Sequence, residues 1–196
     1  MSVESKTEDA FYYSYPVLCD IMLLYKGARY AISKAYLCNT STYFRKRLMG
    51  SDGTFDKEQK EFVLPDSLFE GLELCDSMAL KIVLSAVVGE YPVRTVKACV
   101  DAASLAVILE MPSIASNLEE SVCKRIDEGE NKHYFYFVHI AEKHSLRALR
   151  AAAIKKIVKI SRTLSGPQWW MSDVVHEASK ISSAAWMDIF KCLNNI

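Results

Sequence analysis

The pattern of apolar and polar positions divides the chain into a mixed first third and a helical remainder. Ile21 to Tyr25 is a five-residue apolar run, and Tyr30 to Ile32 is a second, shorter one. Lys26-Gly27-Ala28-Arg29 between them predicts a hairpin turn. Helical spacing follows in Ala35, Leu37 and Cys38, then again after Ser41 in Tyr43, Phe44, Leu48 and Met49. Residues 50–60 read as a polar loop. Glu61 to Leu64 predicts a third short strand, closed by Pro65-Asp66.

Beyond Ser67 the period becomes helical almost everywhere. Met78 to Val88 is an apolar segment ended by Gly89, with Pro92 beyond it. Val96, Cys99, Val100, Ala103 and Val107 form a helical stripe that breaks at Pro112. Ile114, Leu118, Val122 and Ile126 repeat every fourth residue, and Asp127 to Asn131 makes a turn. A helix over Lys132 to Lys143 and a longer one opened by Ser145 come next, ended by Gly166-Pro167. Two weaker pieces follow, around Val174, Val175, Ala178 and Ile181, and around Trp186, Ile189, Phe190 and Leu193. The expected class is α+β, a small three-stranded sheet with helices and then an all-helical tail, joined without a flexible linker.

Composition narrows what such a chain can do. Of 196 residues, 51% are hydrophobic and 24% charged, a globular mix rather than a disordered one. Lys plus Arg and Asp plus Glu number 24 each, so the net charge is zero, against the strongly basic footprint of a nucleic-acid binder. The balance hides an asymmetry: residues 1–110 carry 12 basic and 15 acidic side chains, and the rest 12 and 9. No stretch reaches the ~18 uncharged apolar residues of a membrane span, and Lys81 interrupts the longest candidate. The polar start, Met1 to Ala10, lacks the basic and apolar regions of a signal peptide. Cys19, Cys38, Cys75, Cys99, Cys123 and Cys192 have apolar neighbours and no CxxC spacing, which predicts reduced, core-filling cysteine in a cytoplasmic or nuclear protein. A disulfide framework or a zinc site is the alternative.

Little in the sequence points to bond chemistry. His133, His139 and His144 cluster, but 133 and 139 lie about 120° apart around a helix, a poor arrangement for shared metal ligation. The seven glycines are dispersed, so no phosphate-cradling loop forms, and neither GxSxG nor HExxH occurs. No catalytic residue, metal or cofactor is expected. Between Leu146 and Leu164 six basic side chains occur with no acid, and all but Arg150 gather opposite Leu146, Leu149, Ile157, Ile160 and Leu164. Such a helix can bind anionic membranes or nucleic acid, yet it reads better as the solvated face of a packed helix. Trp169 and Trp170 follow the Gly166-Pro167 break, either packed beneath the preceding helix or exposed as a partner anchor.

Several segments, taken in order, resemble the BTB (POZ) domain. Cys19-Asp20-Ile21-Met22-Leu23, followed by the stretch from Tyr30 through Lys34 and Leu37 to Ser41-Thr42-Tyr43-Phe44, is similar to its strand, aromatic–basic and S-x-Y-F signature. Val63 to Asp66 resembles its third strand, and Leu80 to Val93 and Ala98 to Leu109 resemble its helices. Ile140 to Leu149 is similar to the helical BACK region that accompanies many such domains. The resemblance spans residues 17–162 and implies a BTB/POZ domain over 1–110 and a helical hairpin with a truncated BACK-like region over 111–196.

What the resemblance implies about function is a non-catalytic adaptor that joins a client protein to a cullin-based ubiquitin ligase, with self-association into a homodimer or a hetero-oligomer. The alternative is an assembly scaffold that binds no cullin. Phe55, Lys57, Glu58, Met111 and Ile114 would line the cullin groove. Asp20 and Lys34 would form a charged pocket at a dimer interface, with Trp169 and Trp170 as partner anchors. Ser41 would support a helix start, and Tyr43 and Phe44 would plug the head's core. Three features depart from the pattern. Lys57 stands where cullin-binding members carry a glutamate, an aromatic segment from Phe11 to Pro16 replaces a leucine-rich helix, and Leu68 to Asp76 reads as an insertion. Proteins are the expected partners, with neither nucleic acid nor membrane.

Overall fold

The computed structural model describes residues 11–12, 18–50, 59–70, 72, 76–91, 94–128, 133–163, 176 and 178–194. Strands β1 (Phe11–Tyr12), β2 (Ile21–Tyr25), β3 (Ala28–Ile32) and β4 (Glu61–Val63) form one sheet in the order β1-β3-β2-β4. The predicted hairpin is β2–β3, antiparallel, with Tyr25 opposite Ala28. Its two-residue turn places Lys26 at φ 47° and Gly27 at φ 77°, the pair of left-handed conformations that a type I′ turn needs. The expected third strand, β4, runs parallel to β2. The sheet has a strand that the pattern did not announce: Phe11 and Tyr12 pair parallel with Tyr30 and Ala31 of β3. Part of the aromatic segment that departs from the family pattern therefore extends the sheet.

The sheet is accompanied by helices α1 (Lys34–Thr40), α2 (Thr42–Leu48), α3 (Asp76–Val87), α4 (Val96–Ile108), α5 (Pro112–Glu128), α6 (Tyr134–Lys143), α7 (Arg147–Thr163) and α8 (Ser183–Asn194), and His176 and Ala178 are helical as well. A 3-10 turn, Asp66–Phe69, follows β4. The expected insertion contributes to the core there, since Leu68, Phe69 and Leu72 are buried and Phe69 stacks on Tyr25 with ring centroids 3.9 Å apart.

Helix α4 is the centre of the molecule. Every residue from Ala98 to Ala106 is buried, polar Asp101 and Ser104 included, as expected of a helix wrapped on all sides by others. It packs against α3, α5 and α6, while α7 packs against α5, α6 and α8. Apolar side chains from Ile21 in β2 to Ile189 in α8 thus make one contiguous core. Helix α4 ends in a Schellman motif: the Met111 amide donates to Ala106 O at 2.8 Å and the Glu110 amide to Val107 O at 3.0 Å. Glu110, at φ 51°, takes the left-handed position and places Pro112 at the start of α5. The break expected at Pro112 is therefore a tight turn that folds α5 back on α4.

Two details differ from the pattern-based expectation. Cys38 and Cys99 fill the core, whereas Cys192 is exposed on α8. In the same helix Ala185 and Ile189 face inward while Phe190 is 60% exposed. Of the expected stripe, Ile189 is buried and Trp186 and Leu193 pack partly against the core, with Trp186 meeting Phe135 of α6 at 5.6 Å, so only Phe190 departs from it. Among the described residues no disulfide joins Cys19, Cys38, Cys99, Cys123 or Cys192.

Candidate protein-interaction site

Ser41 ties the first helical pair to the centre of the fold. Its hydroxyl accepts from the Phe44 amide at 3.0 Å as the N-cap of α2 and donates to Leu109 O at 2.6 Å. One fully buried side chain thus satisfies a helix start and a helix end that lie 68 residues apart. Ser41→Ala leaves both groups without this partner, and we expect a loss of about 1–3 kcal/mol, read as a lower urea midpoint with unchanged slope. Tyr43 and Phe44 point into the head's core, with their rings edge-on at 5.3 Å.

Asp20 and Lys34 are brought together, but through the backbone. The Lys34 amide donates to Asp20 Oδ1 at 2.6 Å, and Ser33, the N-cap of α1, makes no side-chain cap bond. Asp20 therefore caps α1 from 14 residues away, placing a carboxylate at the positive end of that helix. Asp20 is exposed, while Lys34 is buried at 3%. Cys38 lies beside both: burial pushes its thiol up, Arg45 and Lys34 oppose that, and Asp20 adds to it. Exposed Leu18 and Tyr36, two residues from Asp20 and Lys34 respectively, give this corner an apolar rim that the sequence did not single out. Met111 and Ile114 are buried at 1% and 5%, so these groove candidates pack inside the molecule. Phe55, Lys57, Glu58, Trp169 and Trp170 lie outside the described residues.

Glu142 organises the tail. Its carboxylate accepts from the Ser182 hydroxyl at 2.7 Å, from the Ser182 amide at 3.1 Å and from Arg150 Nε at 3.1 Å. Burial alone would raise this carboxyl, but the Ser182 and Arg150 donors outweigh it and hold the group below the usual glutamate range. Arg150 reaches on to Asp188 at 2.8 Å, and Arg162 donates to the carbonyls of Cys192 and Leu193. Two of the six basic residues of α7 thus fasten α8. Glu119 of α5 accepts from the Leu149 amide at 2.9 Å and serves the start of α7.

Three of the four histidines lie in α6 or at its ends. His139 Nδ1 lies 3.0 Å from Lys180 O, and His133 and His144 flank α6 as its end residues. His144 Nε2 is buried with no hydrogen-bond partner. Burial, helped by the charges of Lys143 and His139, lowers its pKa from the ordinary 6.5. The unfolded chain then binds this proton more tightly than the folded one. The associated stability is complete above pH 6.5 and falls as the pH drops through 6.5 toward the folded value. Urea unfolding at about pH 7.5 and about pH 5.5 will show a smaller acid loss in His144→Gln than in the wild type. Among the described residues no three His, Cys, Asp or Glu side chains gather where they could hold a metal ion, and no helix is long and apolar enough to cross a membrane.

The comparisons with known proteins bear on the head. The family model of the BTB/POZ domain matches residues 12–126, from β1 to near the end of α5. No curated protein matches the chain. Domains of this kind are generally interaction modules rather than enzymes, and they bind protein partners and dimerise. The chain is accordingly an α+β protein-interaction adaptor or scaffold. With the matched segment covering more than half of its length, in the element order described above, this chain belongs to the BTB/POZ domain family.

Proposed function

We propose that the chain links a client protein to a cullin-based ubiquitin ligase and catalyses no bond change itself. The observation that carries this reading is the BTB/POZ match over residues 12–126, followed by helices that share the head's core. An adaptor needs two surfaces held at a fixed separation, and a continuous interior supplies that rigidity. In this reading residues 111–196 act as a truncated BACK-like region. Phe55, Lys57 and Glu58 face the cullin, and buried Met111 and Ile114 support the groove from within. Asp20 and Lys34, rimmed by Leu18 and Tyr36, form the self-association corner, and Trp169 and Trp170 anchor a partner. A reducing compartment, cytoplasm or nucleus, suits the cysteines. Isothermal titration against a cullin amino-terminal domain tests the proposal: saturable heat at tens of micromolar or below is expected, and no heat from folded protein overturns it.

Lys57 favours a second reading, an assembly scaffold that has given up the cullin. A positive charge where cullin-binding members carry an acid would oppose docking by like-charge or desolvation cost. Under that reading Lys57→Glu gains affinity for the cullin domain in the same titration. Tight binding by the wild type excludes it.

A further inference from the structure

The outward face of α7 carries a row of cations with no partner for their side chains among the described residues. Arg147, Ala151, Lys155 and Lys159 are exposed and follow one another at four-residue steps, with Ala148 exposed beside them. Arg150 and Arg162 turn to α8, as described above, whereas the side chains of Arg147, Lys155 and Lys159 make no hydrogen bond or ion pair among the described residues. From Arg147 to Lys159 the row is about 18 Å long, at 1.5 Å per residue. Its members form an i, i+4 ridge, the surface feature that a second helix engages in ridge-into-groove packing. The alanines between the cations let a neighbouring backbone come close.

We propose that this ridge docks an acidic helical segment of a partner protein, with carboxylates spaced at four residues against Arg147, Lys155 and Lys159. Charge and shape select that occupant over the others. A bilayer would require large apolar side chains beside the cations, and the exposed uncharged residues beside them, Ala148 and Ala151, are small. A nucleic acid would meet few cations and no exposed aromatic on α7, in a chain of zero net charge. A second copy in an isologous contact would set this positive ridge against itself. The ridge uses none of the residues assigned to the cullin, so the inference stands whether or not a cullin binds.

The test is fluorescence anisotropy on the full chain with a labelled, alanine-based 20-residue helical peptide bearing glutamate at every fourth position. Saturable binding is expected at about 50 mM salt, weakening at least tenfold at about 500 mM as screening shortens the reach of the charges. The triple variant Arg147→Glu, Lys155→Glu, Lys159→Glu should lose binding while keeping its far-ultraviolet circular dichroism. The milder pair Lys155→Gln, Lys159→Gln should weaken binding several-fold and serves if the triple variant does not fold. The proposal is overturned if the peptide fails to bind at 1 mM or if folded variants bind it as the wild type does. It is equally overturned if a 20-base-pair duplex, or vesicles of phosphatidylcholine with 30% phosphatidylserine, bind this face more tightly than the peptide.

Discussion

Phe44→Ala will lower the free energy of unfolding by about 3–5 kcal/mol, the range for emptying a large buried aromatic site. Phe44 is fully buried, its amide is held by Ser41, and its ring meets Tyr43 and Phe62 edge-on at 5.3 and 5.9 Å. It joins α2 to the sheet, since Phe62 belongs to β4. Those neighbours are fixed by separate elements and cannot all collapse into the void, which puts the cost toward the upper end. Equilibrium urea unfolding followed by circular dichroism measures it. A loss under 1 kcal/mol would mean that the site can repack freely.

Asp101→Ala will cost about 1–3 kcal/mol, the range for leaving one partner of a buried hydrogen bond unsatisfied. Asp101 and Tyr136 are both fully buried, and the Tyr136 hydroxyl donates to Asp101 Oδ1 across the contact between α4 and α6. Lys97 lies over the Tyr136 ring at 4.6 Å. Removing the carboxyl group takes this acceptor from the tyrosine hydroxyl and opens a gap where α4 meets α6. Tyr136→Phe should also destabilise, and the double variant should cost less than the sum of the two by about 1 kcal/mol or more. Strict additivity would show that the contact is not energetically coupled.

The parts that were legible in the sequence are those whose period is long or whose turn chemistry is unusual. Lys26-Gly27 between two apolar runs announces the hairpin, and the repeats through Val96–Val107 and Ile114–Ile126 announce α4 and α5. Strand β1 was not legible, because two residues cannot express an alternation; Phe11 and Tyr12 become a strand only through β3. The overreading of α8 has the opposite cause. Its apolar positions follow a helical period, and Trp186 and Leu193 do reach the core, but the period cannot tell which of them finds a neighbour, and Phe190 is left exposed.

The candidate site was legible as residues and not as bonds. Asp20 and Lys34 were singled out together, yet the interaction runs from carboxylate to backbone amide, and no side-chain pattern reports a cap supplied across 14 residues. The Glu142–Ser182–Arg150–Asp188 network escaped notice for the same reason: its members come from three helices separated by loops. Ser41 was the exception, because a serine three residues before a buried amide is a local cap signal.

The central claim is that a BTB/POZ head and its helical tail form a single cooperative body, as an adaptor that transmits position between two partners requires. All three tryptophans, Trp169, Trp170 and Trp186, follow α7 in sequence, beyond the segment matched by the BTB/POZ family model, so tryptophan fluorescence is a probe carried outside that segment. Phe44 lies in the head. In urea unfolding of Phe44→Ala, the fluorescence midpoint should fall together with the circular dichroism midpoint in one coincident transition. A fluorescence transition left at its wild-type midpoint, with an earlier one seen only by circular dichroism, would contradict the claim.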